Sequence, residues 1–314
     1  VLLGFAELKQ LVHICDLKET LDSIGVPEHL NDPVRYVRRF RSREDAEIVG
    51  LLVSAIAYGK IVHIMRDTLQ LLEIIGDRPA RFVAGFKDDW APRFDRFRHR
   101  FTRSTHVACM ISRMKCALDD YGSLHALFLE GWDESGDMRS ALSHFARRLC
   151  SYPCPGFCDD CRTPDRRSVR WLISEPRTGS AAKRMCLYVR WMVRAGYPDI
   201  GVWNGIPPSA LVIPLDTHVA RIGRLLGLTR RRASDWLTAV EVTGALKQLD
   251  PDDPLRYDYS LSHLGIDGGC SGRFDRATCV KCAVKRFCAV TRQPKKQSSG
   301  RNADGVFSAR RVVA

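Results

Sequence analysis

The stretch EDAEIVGLLVSAIAYGKIVHIMRDTLQLLEIIG, residues 44 to 76, settles the fold class. Apolar side chains return every three or four positions through it, the interval at which residues share one face of an α-helix, and Gly59 and Gly76 are the natural breaks. Two core helices are expected there. The same periodicity predicts helices around 105–120, 138–150, 181–194, 217–226, 233–247 and 255–264. Alternating β-branched runs bounded by turns are almost absent, so the chain reads as all-α.

The chain has 314 residues, enough to bury a sizeable core, and carries 49 Lys and Arg against 36 Asp and Glu. The formal charge of +13 suits a phosphate-rich partner. The opening VLLGFAELKQLVHICDLKET breaks its apolar residues with charges and lacks a cleavage-like site, so it is not read as a signal peptide. It begins on Val1 rather than methionine, which fits a start further upstream. With no apolar run long enough to span a bilayer, the expectation is a soluble cytoplasmic protein, located with the nucleoid and without a membrane partner. Twelve cysteines in such a compartment point to metal chemistry rather than disulfides.

The text changes character in CSYPCPGFCDDCRTPDRRSVRWLISEPRTGS, residues 150 to 180, rich in proline, cysteine and arginine. It divides the chain into an N-terminal helical lobe over 1–150, a cysteine-containing connector over 151–175 and a second helical lobe over 176–266. A cysteine loop follows over 267–290, and the polar, basic tail over 291–314 is expected to be disordered.

Within the second lobe, EPRTGSAAKRMCLYVRWMVR places a turn at Pro176 and Gly179, an N-cap at Ser180, and a helix whose buried face is Ala182, Met185, Val189, Met192 and Val193. The opposite face carries Lys183, Leu187, Arg190 and Arg194. Lys183 falls in the first helical turn, where exposed amides and the positive end of the dipole disfavour an ammonium; desolvation would add to this and leave a nucleophilic amine. The same amides suit a phosphate, because Gly179 lets another backbone approach. Thr178, Gly179, Ser180 and Arg184 are the candidate DNA contacts. Further on, LVIPLDTHVARIGRLLGL, residues 211 to 228, sets Asp216 ahead of an amphipathic helix. As a cap it would accept backbone N–H bonds; as a base or charge stabiliser it would serve Lys183.

A glycine-containing turn, a lysine four residues after the glycine, and an I-P-L-D-T-H helix start resemble the helix-hairpin-helix DNA glycosylases, which carry a hairpin lysine and a downstream aspartate. The usual L-P-G-V-G hairpin is replaced here by E-P-R-T-G-S-A, and the separation of lysine and aspartate exceeds that of the endonuclease III branch. It is more similar to the archaeal 8-oxoguanine DNA glycosylases. Closer still is an uncharacterised, largely bacterial family related to them, which the phrases DAEIVGLLVSAIAYGK, GSAAKRMCLYVRWMVR, DIGVW, IPLDTHVARI and DPDDPLRYDYSLSHLG resemble over most of residues 30 to 266. The resemblance implies a monomeric two-lobed enzyme that grips damaged double-stranded DNA and extrudes an oxidised purine, 8-oxoguanine, from the stack. Lys183 would attack C1′ with help from Asp216, and abasic-site lyase activity would accompany base release. The alternatives are a non-catalytic nucleic-acid binder with a structural metal site and a metal-dependent nuclease. Trp191 and Trp203 are candidates to stack on a flipped base, but helix-borne tryptophans are more often core residues, and His218 needs no role beyond the first helical turn.

Cys270, Cys279, Cys282 and Cys288 form a C-x8-C-x2-C-x5-C array. Four thiolates so close would repel one another unless a cation or cluster neutralised them, and soft sulfur suits zinc or iron–sulfur. The x2 and x5 intervals resemble the [4Fe–4S] loop of endonuclease III relatives, whose first interval is two residues shorter, so zinc stays open as the alternative. Arg273, Arg276, Lys281, Lys285 and Arg286 around it could grip phosphates. A second group, Cys150, Cys154, Cys158 and Cys161, could hold zinc and brace the connector, or remain as free thiols.

Overall fold

The computed structural model describes residues 5–27, 31–153, 155–157 and 169–292. They fold as α1 (Phe5–Ile24), α2 (Val34–Val37), α3 (Arg43–Ala55), α4 (Ile61–Ile75), α5 (Pro79–Ala84), α6 (Ser104–Tyr121), α7 (Leu124–Ser135) and α8 (Met138–Ser151). The second half contributes α9 (Val169–Leu172), α10 (Lys183–Val193), α11 (Thr217–Leu226), α12 (Trp236–Lys247), α13 (Asp258–Ile266), α14 (Arg276–Cys279) and α15 (Ala289–Arg292). The only strands among the described residues are a two-stranded antiparallel ribbon, β1 (Arg98–His99) and β2 (Thr102–Arg103). The protein is mostly helical, as the periodicity predicts.

Helix limits follow the caps. Ser42 accepts the Asp45 N–H at 3.1 Å and starts α3 with Glu44 and Asp45 in its first turn, while Gly76 closes α4 at φ 78°. Three boundaries differ from expectation. Asp235 accepts the Thr238 N–H at 2.9 Å, which starts α12 at Trp236 rather than at 233. A short 3-10 turn over Pro254–Tyr257 displaces the start of α13 to Asp258. The segment 181–182 is not helical, since Ala182 adopts φ 46° and α10 opens at Lys183.

One continuous apolar core takes residues from Leu17 to Phe287. Trp191 and Trp203 are both buried within it, which settles them as packing residues. The junction 56–60 between α3 and α4 and the start of α10 meet, as the contact between Lys183 and Ala57 shows. Glu47 on α3 is 1% exposed; its carboxylate accepts the Leu124 and His125 N–H groups at the start of α7 and the Trp203 indole N–H. Burial raises this carboxyl to about 6 despite those donors. Among the described residues no helix is long and apolar enough to cross a membrane. Residues 293–314 of the tail lie outside the described residues, as do Cys154, Cys158 and Cys161 of the second cysteine group.

Candidate functional site

The turn that leads into α10 is a 3-10 turn over Pro176–Thr178, closed by Gly179 at φ 87°. A side chain other than glycine would be strained in this left-handed backbone, and no atom of the protein lies within 4 Å of where its Cβ would stand. Thr178 donates its hydroxyl to the Glu175 carbonyl at 2.7 Å, and Ser180 pairs as an isolated bridge with Asp235. Ser180 is not the N-cap that the sequence suggests. Its hydroxyl accepts the Ala182 N–H at 3.1 Å, two residues on, and Ala182 takes the cap position with no side-chain bond to the first helical turn. The leading amides of α10 are therefore left without a side-chain acceptor, the condition that suits an anion.

Lys183, the first residue of α10, places Nζ 3.6 Å from Asp216 Oδ2 and 3.4 Å from the Ala57 carbonyl oxygen. The two side chains are 34% and 20% exposed, and 33 sequence positions separate them. Asp216 serves two partners with two atoms. Oδ1 accepts the His218 and Val219 N–H groups, both at 2.8 Å, and so caps α11; Oδ2 is left for the lysine. Capping and contact with the amine thus do not compete. His218 accepts a hydrogen bond from Arg221 through Nδ1 at 3.0 Å.

Lys183 lines a cavity of about 860 Å3 together with Tyr58, Trp171, Arg147, Arg170 and Arg184. Asp216 is not among its lining residues; it meets the cavity at the Lys183 amine, 3.6 Å away. Tyr58 and Trp171 stand edge to face with ring centroids 4.7 Å apart. These two aromatics, rather than Trp191 and Trp203, line the cavity. Periodicity could not single them out, because Tyr58 sits in a loop and Trp171 in a four-residue helix. The available signal was local: Tyr58 precedes Gly59 at the break between two core helices, and Trp171 lies five residues ahead of Pro176.

Arg184 corrects another expectation. It is buried, its guanidinium lies 4.0 Å from the Trp171 ring centroid, and it donates to the Trp171 carbonyl. Burial lowers its pKa to about 10. Bound in this way it forms part of the cavity wall, beside Trp171. Arg190 and Arg194, expected on the polar face of α10, are buried too. Arg190 pairs with Asp199 at 3.0 Å and with Asp258, and Arg194 with Asp199 at 3.0 Å and Asp253 at 2.9 Å. Burial pushes Asp258 up to about 6 against the pull of Arg190, and the charges of Asp216 and Asp199 add to that rise.

At the other end of α11, Cys270, Cys279, Cys282 and Cys288 line one cavity of about 290 Å3, with Ile222, Leu225 and Leu264 among the apolar walls. No His, Asp or Glu shares that lining. Among the described residues no three His, Cys, Asp or Glu side chains are grouped so as to hold a metal ion. The Asp275 N–H points at Cys279 Sγ at 3.4 Å, and burial raises the Cys282 thiol, with the other three cysteines adding to the rise. Cys150 lies instead on the wall of the larger cavity.

The chain belongs to the family described as protein of unknown function DUF2400, whose model matches residues 32–267. The matched region takes in Lys183 and Asp216 and ends before Cys270. No curated protein and no solved structure matches the chain.

Proposed function

We propose that this member of the DUF2400 family is a helix-hairpin-helix DNA glycosylase with abasic-site lyase activity, acting as a monomer on an oxidised purine, 8-oxoguanine, in double-stranded DNA. The observation that carries the reading is the contact of Lys183 Nζ with Asp216 Oδ2 at 3.6 Å, on the wall of a cavity also lined by Tyr58 and Trp171. An aromatic face stacks on an extruded base with ~1–3 kcal/mol. The uncapped amides of α10 and the exposed Arg147 and Arg170 at the cavity suit the flanking phosphates.

Asp216 Oδ2 takes a proton from the Lys183 ammonium, and the freed nitrogen pair attacks C1′ of the extruded nucleotide as the bond from C1′ to the base breaks. The departing base carries away the electron pair of that bond and takes up the proton held on Asp216; the carboxylate restored in this way stabilises the positive charge on the sugar. A proton passes from the attached nitrogen to the ring oxygen, the bond from C1′ to that oxygen breaks with its pair going to the oxygen, and the nitrogen pair closes on C1′ to give an iminium between Lys183 and the opened sugar. Removal of a C2′ proton then expels the 3′ phosphate and breaks the strand.

The four-cysteine cavity fits soft ligands in an apolar setting, and at about 290 Å3 it exceeds the ~30 Å3 share of one water. We propose that Cys270, Cys279, Cys282 and Cys288 would hold a [4Fe–4S] cluster, with zinc as the alternative; the four thiols share one cavity but would have to draw together to ligate it. Bound there, it would cross-link the C-terminal loop to itself beside the apolar α11 side chains Ile222 and Leu225. A visible absorbance band that bleaches on oxidation separates the two.

Borohydride trapping tests the reaction. Wild-type protein on a duplex with one 8-oxoguanine should form a covalent adduct that Lys183→Gln does not. DNA binding without any adduct, across a panel of oxidised purines, would leave a nucleic-acid binder instead.

A further inference from the structure

Behind the cavity wall stand two buried ionisable side chains that the reaction above does not use. Asp67 on α4 is 2% exposed and His99 on β1 is 0% exposed. His99 Nδ1 lies 2.6 Å from Asp67 Oδ2, and its Nε2 lies 2.9 Å from the Tyr58 carbonyl oxygen. A carboxylate and a carbonyl both only accept, so the two contacts are hydrogen bonds together only when both ring nitrogens carry a hydrogen. His99 is then an imidazolium paired with Asp67. The second oxygen of Asp67 accepts Arg66 Nε at 2.7 Å.

A buried pair of this kind contributes little net stability compared with well-packed apolar side chains; what it fixes is geometry. Here the fixed element is the Tyr58–Gly59 peptide. The Tyr58 carbonyl is held by His99, and one residue earlier the Ala57 carbonyl accepts from Lys183 Nζ. The Tyr58 hydroxyl donates to the His99 carbonyl at 2.8 Å and accepts the Thr102 N–H at 3.2 Å, so the ring is held at its far end as well. The Arg184 and Arg100 guanidinium groups lie 5.4 and 5.8 Å from the Tyr58 ring centroid. At Gly59, whose φ is 98°, a Cβ would stand 2.7 Å from the Arg100 guanidinium, so that side chain lies directly over the junction. His99 and Lys183 therefore hold neighbouring carbonyls of one loop.

We propose that Asp67 and His99 are positioning residues of the Lys183 site: the charged pair locks the Tyr58–Gly59 peptide, and with it the stance of the Tyr58 ring and, one peptide earlier, the Ala57 carbonyl on which the lysine amine rests. The consequence for catalysis rests on the proposed glycosylase reaction; the consequence for the lysine does not.

Two measurements test it. Reductive methylation with 13C-formaldehyde gives each lysine an NMR signal, and that of Lys183 is identified by its loss in Lys183→Gln. In Asp67→Asn, which keeps the shape but not the charge, the Lys183 signal should move. The trapping rate at saturating lesion DNA should fall roughly ten- to a hundredfold, while the DNA Kd stays within about twofold. A folded Asp67→Asn protein with both the signal and the rate unchanged overturns the proposal. If the signal moves but even the wild type forms no adduct, the positioning stands and the glycosylase reading fails. Should Asp67→Asn not fold, the 15N shifts of His99 in the wild type decide: two protonated nitrogens are expected, and a neutral ring with a single N–H sinks the idea.

Discussion

The division of labour within Asp216 can be tested by two substitutions that act differently on its two oxygens. Asp216→Asn retains an oxygen able to accept the His218 and Val219 N–H groups, both held at 2.8 Å in the native protein, and asparagine caps helices about as well as aspartate. It loses the charge facing Lys183 at 3.6 Å. That pair is partly exposed, so solvent screening limits its worth to about 1 kcal/mol or less, with a few tenths more from the helix dipole. Asp216→Ala loses the cap as well and should be less stable than the asparagine variant by a further ~1 kcal/mol. The two should be equal in chemistry, both forming the Lys183 adduct about a hundred- to ten-thousandfold more slowly than wild type. Urea denaturation with an unchanged m-value supplies the stabilities, and single-turnover trapping supplies the rates. An asparagine variant that traps DNA at the wild-type rate, or one as unstable as the alanine variant, would refute the assignment of one oxygen to each task.

Other perturbations probe the frame around the site. Arg190→Met removes the partner of Asp258 and one of two partners of Asp199 inside the protein, and should destabilise by about 3–5 kcal/mol in chemical denaturation at neutral pH. The loss should shrink on acidification, since Asp258 can then be buried as the neutral acid. Glu47 has a folded pKa of about 6 against 4.5 for a free glutamate, so its contribution to stability is fully present below 4.5 and is lost as the pH rises through 6. The corresponding loss is on the order of 2 kcal/mol. The difference between wild type and Glu47→Gln, measured by denaturation from pH 4 to 7, should show that slope; a flat difference would mean the burial of Glu47 is compensated.

How far the sequence reaches is clearest at α10. Its apolar face and the placement of Lys183 near its start follow from periodicity and punctuation, and all five residues assigned to the core are buried. Arg190 and Arg194 were read as a polar face, because an amphipathic count treats every charge as solvent-facing. Their partners Asp199, Asp253 and Asp258 arrive from other segments. The cap at Ser180 failed for a local reason: Ala182 enters the left-handed region, which residue type alone does not signal. Asp216 was legible in both of its senses, since a carboxylate ahead of an amphipathic helix is a cap from the sequence alone and the lysine contact was inferred from family resemblance. Asp67, His99 and Tyr58 carry no motif. They become a set only when residues 58, 67 and 99 are folded onto one another.

The bond between the Lys183 amine and the Ala57 carbonyl spans 126 positions of chain, and the tie from Trp203 to Glu47 spans 156. Both ties join the two halves of the chain, so during synthesis neither can form until the later half has emerged from the ribosome and closed on the earlier one.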